Sequence, residues 1–288
     1  MTVADAAALE AFRIRQEQRR AEAYAGFFAP VTAQFLAPLV DRLGSPPDSA
    51  GVADRGPVLD LGCGTGALAR ILAGRGWTVV AADRWPAIAA LAHSGTGPPV
   101  VIADAVRLPV ATAALGALAA AFVLPHLPDL PGALGEIRRA LRPGAAMVLA
   151  GWAGSATSPF TGLAATLLRE RAVPEVRDIL TEAERRTDPA YLCGMVRAAG
   201  FEVAGADTVH SLVRLPSATA WWTGVSTASS GFVEALQAHP LEVRRDTRAA
   251  FLDVARGFAT ADDEVLVPVA ALLLTAYAPG ASGQPPMG

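Results

Sequence analysis

At 288 residues, with 52% hydrophobic residues and a formal net charge of -3, the chain suits one sizeable domain, or one domain plus an inserted cap. No run of about 20 uncharged apolar residues occurs, and Asp5 and Glu10 precede any basic residue, against a secretory leader; a soluble, cytoplasmic protein without a membrane partner is expected. Every basic residue is Arg, and the small clusters at Arg13–Arg20 and Arg244–Arg248 lack flanking aromatics, which argues against nucleic acid, while Cys63 and Cys193 are too few for a disulfide framework, a thiolate metal site or an iron–sulfur cluster.

Residues Ala6 to Leu43 place Leu9, Phe12, Ile14, Phe27, Phe28, Val31, Phe35, Leu36 and Leu39 at helical spacing. Gly44 to Pro57 reads as a linker from its Pro, Gly and Ser. Strands are then expected at Pro57–Leu61, Thr78–Ala82, Val100–Ala103, Leu118–Leu124 and Ala146–Trp152. Helices at Ala67–Gly74, Ala87–His93 and Pro131–Leu141 separate them, the last closed by Arg142-Pro143-Gly144. Short apolar runs alternating with helices are the pattern of a parallel sheet covered on both faces. Beyond it, Ser155–Thr187 is helical, Tyr191–Ala199 a helix and Phe201–Leu215 a long strand. Pro216–Gly257 is largely helical, Val265–Tyr277 a strand, and the tail from Pro279 is expected to be disordered.

The residues Asp60-Leu61-Gly62-Cys63-Gly64-Thr65-Gly66 lie between a strand and a helix, at the sheet edge where open α/β folds bind ligands. Gly62, Gly64 and Ala67 also satisfy the dinucleotide fingerprint. A pyrophosphate, however, needs bare amides at a helix N-terminus, and here Asp60 precedes the loop. An acid there suits a ligand carrying a sulfonium and an ammonium group. Asp83, ending the second strand, stands at the distance of a ribose diol. Asp104, ending the third, supplies an acceptor for an adenine amino group.

On these residues a family resemblance rests. VLDLGCGTGALA resembles the first motif of the class I S-adenosylmethionine (SAM)-dependent methyltransferases. VVAADRWPAIAALA resembles the second-strand motif, VIADAVRLP the third, and FVLPHLPDLPGALGEIRRALRPGAAMVLAGW the fourth and fifth strands with their helix. The likeness covers about Tyr24 to Trp152 and is greatest to the small-molecule branch that includes the ubiquinone and menaquinone methyltransferases. It implies an α/β, Rossmann-like, seven-stranded, mostly parallel sheet with helices on both faces. An N-terminal helical lid would occupy residues 1–50 and a SAM-binding domain residues 51–278, with helical cap inserts at about 155–190 and 216–258. It implies that Gly62, Cys63, Gly64 and Gly66 line the methionine part of SAM, with Asp60 at its amino end and Asp83 with Arg84 at the ribose. Ile88, Asp104, Ala105 and Ala120 would surround the remainder, and Tyr24 would be a lid aromatic. Two departures stand out: Leu115-Gly116-Ala117 where the family commonly has an acid, expected near the transfer region, and Pro143-Gly144-Ala145 where a second glycine is frequent.

Methyl transfer from a sulfonium needs alignment more than acid–base help, and a base only when the nucleophile must lose a proton. His126, just past the fourth strand, is the candidate base; the alternative is a residue that fixes its loop. His93 and His239 adjoin turn signals and are expected at the surface. Phe27, Phe28, Trp221 and Trp222 are candidate substrate walls, against ordinary core filling. The expected activity is methylation of O, N or C of a small, partly apolar molecule by a monomer or homodimer. The Ala-, Gly- and Arg-rich composition of GC-rich coding adds natural-product biosynthesis to that expectation. Gly116 keeps open a SAM-binding protein that acts as a cyclase or non-methylating partner, and the glycine pattern keeps open a nicotinamide-dependent oxidoreductase.

Overall fold

The computed structural model describes residues 18–44, 46, 56–93 and 97–280. The expected helix before Gln18, most of the linker after Gly44 and the tail from Ala281 lie outside the described residues. Seven strands form one sheet: β1 (Val58–Leu61), β2 (Val79–Asp83), β3 (Val100–Ile102), β4 (Leu115–Ala121), β5 (Leu141–Trp152), β6 (Glu202–Leu215) and β7 (Val265–Tyr277). Their order is β3-β2-β1-β4-β5-β7-β6. β1 to β5 pair in parallel and β7 runs antiparallel to β5. The direction of winding reverses between β1 and β4, the switch point at which open sheets of this kind place their ligands.

By its contacts the chain forms two compact units. The sheet unit comprises Thr32–Trp152, Arg186–Val209 and the chain from Ala271. Its inner strands β1, β2, β4, β5 and β7 are mostly buried, hence their apolar runs, whereas the edge strands β3 and β6 are partly exposed. Leu59, Leu61, Leu118, Met147, Leu149, Leu272 and Leu274 share a core with Leu134 and Ile137 of α6 (Leu130–Ala140) and Leu192 and Val196 of α9 (Pro189–Ala198). After the short α2 (Ala29–Thr32), α3 (Leu36–Leu43) packs on β4, β5 and α4 (Ala67–Gly74) through its buried Leu36, Leu39, Val40 and Leu43. α5 (Pro86–Ala92) covers β2 and β3.

β4 begins three residues before the expected Leu118 and stops at Ala121, because Phe122 takes φ +60°. Leu141 pairs with Leu115 while Ala146 pairs with Ala117, so Arg142-Pro143-Gly144 bulges out of β5 instead of closing a helix. Gly144 at φ +76° makes the bulge.

The helical unit contains α1 (Gln18–Phe27), α7 (Pro159–Arg169), α8 (Pro174–Arg185), α10 (Ala218–Ala228), α11 (Ser230–Gln237) and α12 (Leu241–Ala255). Its core is aromatic. Trp221 lies parallel to Phe160 and meets Phe251 and Phe258 edge-on, at ring separations of 6.4, 4.8 and 5.6 Å. Trp222 packs against Phe232 and Phe251, and Phe27 stacks on Phe160 at 5.4 Å. His239, expected at the surface, is buried. Its Nδ1 donates to the Ala235 carbonyl and its Nε2 accepts from the Val173 N–H, which fixes one tautomer. Among the described residues no single helix is long and apolar enough to cross a membrane.

Candidate active site

The glycine loop opens where β1 ends. The Gly62 and Cys63 N–H groups both donate to the Ala82 carbonyl, at 2.8 and 2.9 Å, which ties the loop to the end of β2. Gly62, Gly64 and Gly66 have φ of +69°, +55° and +77°, a region costly for any residue with a Cβ. Gly62 also leaves no room for one, since an added Cβ would fall 2.6 Å from the Val123 Cβ. The Asp83 carboxylate clamps the loop from below, accepting from Gly64 N–H and Trp85 N–H at 3.0 Å each.

Asp60 sits beneath this loop, 1% exposed. Its Oδ2 is buried without a hydrogen-bond partner. Burial pushes its pKa up to about 7, the Ala69 N–H at the first turn of α4 pulls the other way, and the Asp83 charge adds to the rise. The Cys63 thiol is likewise pushed up, by burial and then by the Asp60 and Asp83 charges, so it stays a thiol and not a nucleophile.

The strand register lines up the rest. Leu61 pairs with Ala82 and Asp83 with Ile102, so Asp60, Asp83 and Asp104 come to one carboxyl edge. Asp104 Oδ1 accepts from Val106 N–H at 3.2 Å, and its Oδ2 faces Arg84 at 3.7 Å. Arg84 in turn lies over the Trp85 ring, 5.7 Å from its centroid. Ile88 is half-buried on α5, and Ala105 and Ala120 are buried. Gly116, by contrast, stands at the amino end of β4, bonded to the Pro57 carbonyl. At about 3.3 Å per residue that is roughly 16 Å from the level of Gly62. The expectation that its missing acid lies near the transfer region is therefore corrected: it belongs to the opposite edge.

After β4, Phe122 packs its ring on Trp152 at 4.3 Å and on Phe35 at 5.9 Å. His126 ends the 3-10 turn Leu124–His126. The residue is exposed at the surface of the turn. Burial lowers the imidazole pKa below its usual 6.5, with the Asp83 charge opposing.

Tyr24, Phe27, Phe28, Trp221 and Trp222 all belong to the helical unit. Tyr24 is half-buried and stacks on Phe28 at 6.2 Å. Trp221 is 0% exposed, and its indole N–H donates to the Phe160 carbonyl at 2.9 Å. It is packed inside the aromatic core of its unit, and Phe28 and Trp222 are also buried there. Two site features carried no signal in the sequence. One is the left-handed Phe122, the other the bond from Arg186 Nη1 to the Leu127 carbonyl at 2.9 Å, 59 residues away.

A mostly parallel sheet with a glycine loop at its switch point and three strand-end carboxylates along the same edge is an open α/β fold of the ligand-binding kind. A family profile described as a methyltransferase domain matches residues 59–149. The demethylmenaquinone methyltransferase of Thermus thermophilus is 32% identical over 164 residues, covering 51% of this chain and 74% of the relative. That of Mycolicibacterium vanbaalenii is 32% identical over 177 residues, covering 56% and 75%. The chain belongs to the SAM-dependent methyltransferase family, is a methyltransferase and uses SAM. In fold it is similar to a Bacillus halodurans C-125 protein described as a methyltransferase (TM-score 0.55, 17% identity, 85% of this chain and 98% of the other). It is also similar to the 4+2 cyclase SpnF (TM-score 0.51, 19% identity, 86% and 82%).

Proposed function

We propose that this enzyme transfers the methyl group of SAM to O, N or C of a small, partly apolar organic molecule, of the kind made in natural-product biosynthesis. The observation that carries the reading is the unpartnered, buried Oδ2 of Asp60 beneath the glycine loop. A buried acceptor without a donor is costly unless a ligand supplies one, and the ammonium of the methionine part is a donor of the right charge. The three acids at the same edge disfavour a pyrophosphate, and with it the nicotinamide alternative.

In this reading Gly62, Cys63, Gly64 and Gly66 let the backbone close on the methionine part, and Asp60 takes its ammonium. Asp83 and Arg84 face the ribose, Ile88, Asp104 and Ala105 surround the adenine, and Ala120 lines the remainder of the cofactor site. SAM supplies a methyl on positively charged sulfur with an excellent leaving group. The chain's own part is alignment and exclusion of water. His126 is neutral at neutral pH by virtue of its lowered pKa, so its free ring nitrogen can accept the proton of a hydroxyl or activated carbon nucleophile. The relatives' named substrate, demethylmenaquinone, is an acceptor of this partly apolar kind and the first to try.

Calorimetry with SAM, S-adenosylhomocysteine and NADH tests the cofactor assignment; heat with NADH but not with SAM would sink it. Release of S-adenosylhomocysteine in the presence of demethylmenaquinone tests transfer, and its persistent absence over a panel of phenolic and quinol acceptors would favour a non-methylating role. His126→Ala should lower kcat and leave the SAM Kd unchanged if His126 takes the proton. At saturating SAM the wild-type kcat should fall as pH drops below the ordinary histidine value, as the imidazole gains its proton.

A further inference from the structure

We infer that Arg186 is a positioning residue that holds the His126 turn in place; this rests on the reading of His126 given above. The turn is fixed at its start by Phe122, whose N–H donates to the Ala150 carbonyl at 2.7 Å and whose ring is pinned by Trp152 and Phe35. A Phe at φ +60° is sparsely populated and persists only where packing determines it. His126 N–H closes on the Val123 carbonyl at 2.9 Å and Leu127 N–H on the Leu124 carbonyl at 3.2 Å. At the far end Asp129 accepts from Gly132 N–H at 2.8 Å and caps α6.

Between those anchors the Leu127 carbonyl, the first after His126, points out of the turn, and Arg186 Nη1 donates to it at 2.9 Å. Both partners have firm footing. Arg186 stands two residues before Asp188, whose side chain accepts from Tyr191 N–H and caps α9. The α9 residues Leu192 and Val196 lie in the same core as Leu124 and Leu130, which flank the turn. A guanidinium donor to a carbonyl is among the stronger hydrogen bonds. Here it fixes the Leu127–Pro128 peptide, one residue on from the imidazole, and so the end of the turn that carries it; a misplacement of about 1 Å is enough to slow an aligned reaction markedly. Arg186 also follows directly on α8, which ends at Arg185, so the chain re-enters the sheet unit at the residue that holds the turn.

The test uses the full chain labelled at its imidazoles. There are only 4 histidines, and the signal lost in His126→Ala assigns His126. Arg186→Met should shift the His126 signal and leave that of His239 in place. It should lower kcat toward demethylmenaquinone about tenfold, equivalent to about 1.4 kcal/mol, with the SAM Kd within twofold. Arg186→Lys, which keeps a cationic donor, should recover part of the rate and of the signal position. Should the Met variant fail to fold, Arg186→Gln replaces it with the same expectations. An unmoved His126 signal in the folded variant overturns the inference, whatever the rate. A shifted signal together with a fully active His126→Ala leaves the positioning intact and removes only the proton-transfer role.

Discussion

Gly62→Ala probes the contact between the cofactor loop and the turn after β4. Two costs add. An alanine held at φ +69° costs about 1–2 kcal/mol in the left-handed region. Its Cβ would lie 2.6 Å from the Val123 Cβ, whereas carbons pack at about 3.5–4.0 Å, so the two loops must part by roughly 1 Å. Overpacking of that kind costs about 1–3 kcal/mol, giving a total of about 2–5 kcal/mol. Urea unfolding should show the loss, and calorimetry a weakened SAM Kd, because the loop must open where the methionine part binds. A double-mutant cycle with Val123→Gly separates the terms. The coupling should equal the clash, about 1–3 kcal/mol, leaving the backbone strain uncorrected. Additive effects, with coupling below about 0.5 kcal/mol, would refute the contact.

Asp60 titrates near 7 in the folded protein against 3.8 for the free side chain. The native state therefore holds an extra proton between those values, so the Asp60 contribution to stability is fully present below about pH 4 and is lost as pH rises to about 7. The decline is up to roughly 4 kcal/mol at 1.36 kcal/mol per pH unit. Asp60→Asn should flatten this slope in urea midpoints taken from pH 5 to 8 while weakening SAM binding; an unchanged slope would show that Asp60 is not desolvated. Gly224→Ala would drive a methyl into the Phe27 ring and should destabilise the helical unit by about 1–3 kcal/mol. Phe27→Leu in the same chain should restore part of the melting temperature, and independent effects would argue against that packing.

The sheet was readable because its signals are local. A buried strand is a continuous apolar run, and at Val58–Leu61 and Val79–Asp83 each run holds or ends in an acid that the turn then uses. Register carries such acids to one edge without further instruction, so Asp60, Asp83 and Asp104 could be grouped from spacing alone. Gly116 was misplaced for a related reason. Spacing gives a residue's position along a strand, but which end faces the ligand follows from parallel pairing with β1. The remaining features depend on distant partners. Nothing adjacent to Trp221 announces that Phe160, Phe251 and Phe258 surround it, and nothing adjacent to His239 announces the Val173 N–H. Phe122 owes its left-handed backbone to Trp152 and Phe35, and no propensity predicts that a Phe will adopt it.

The place of β7 in the sheet bears on how the chain is made. It is last in sequence of the described strands yet lies between β5 and β6. On the ribosome, Ala146–Trp152 is complete while its antiparallel partner, Ala271–Tyr277, still awaits synthesis some 125 residues on. At about 5–20 residues per second that interval is roughly 6–25 s. Throughout it, an apolar strand edge built from Met147, Val148 and Leu149 stands open, the kind of template on which nascent chains aggregate. Soluble yield should therefore respond to translation speed and to chaperones that shield strand edges, even for variants whose finished fold is unimpaired.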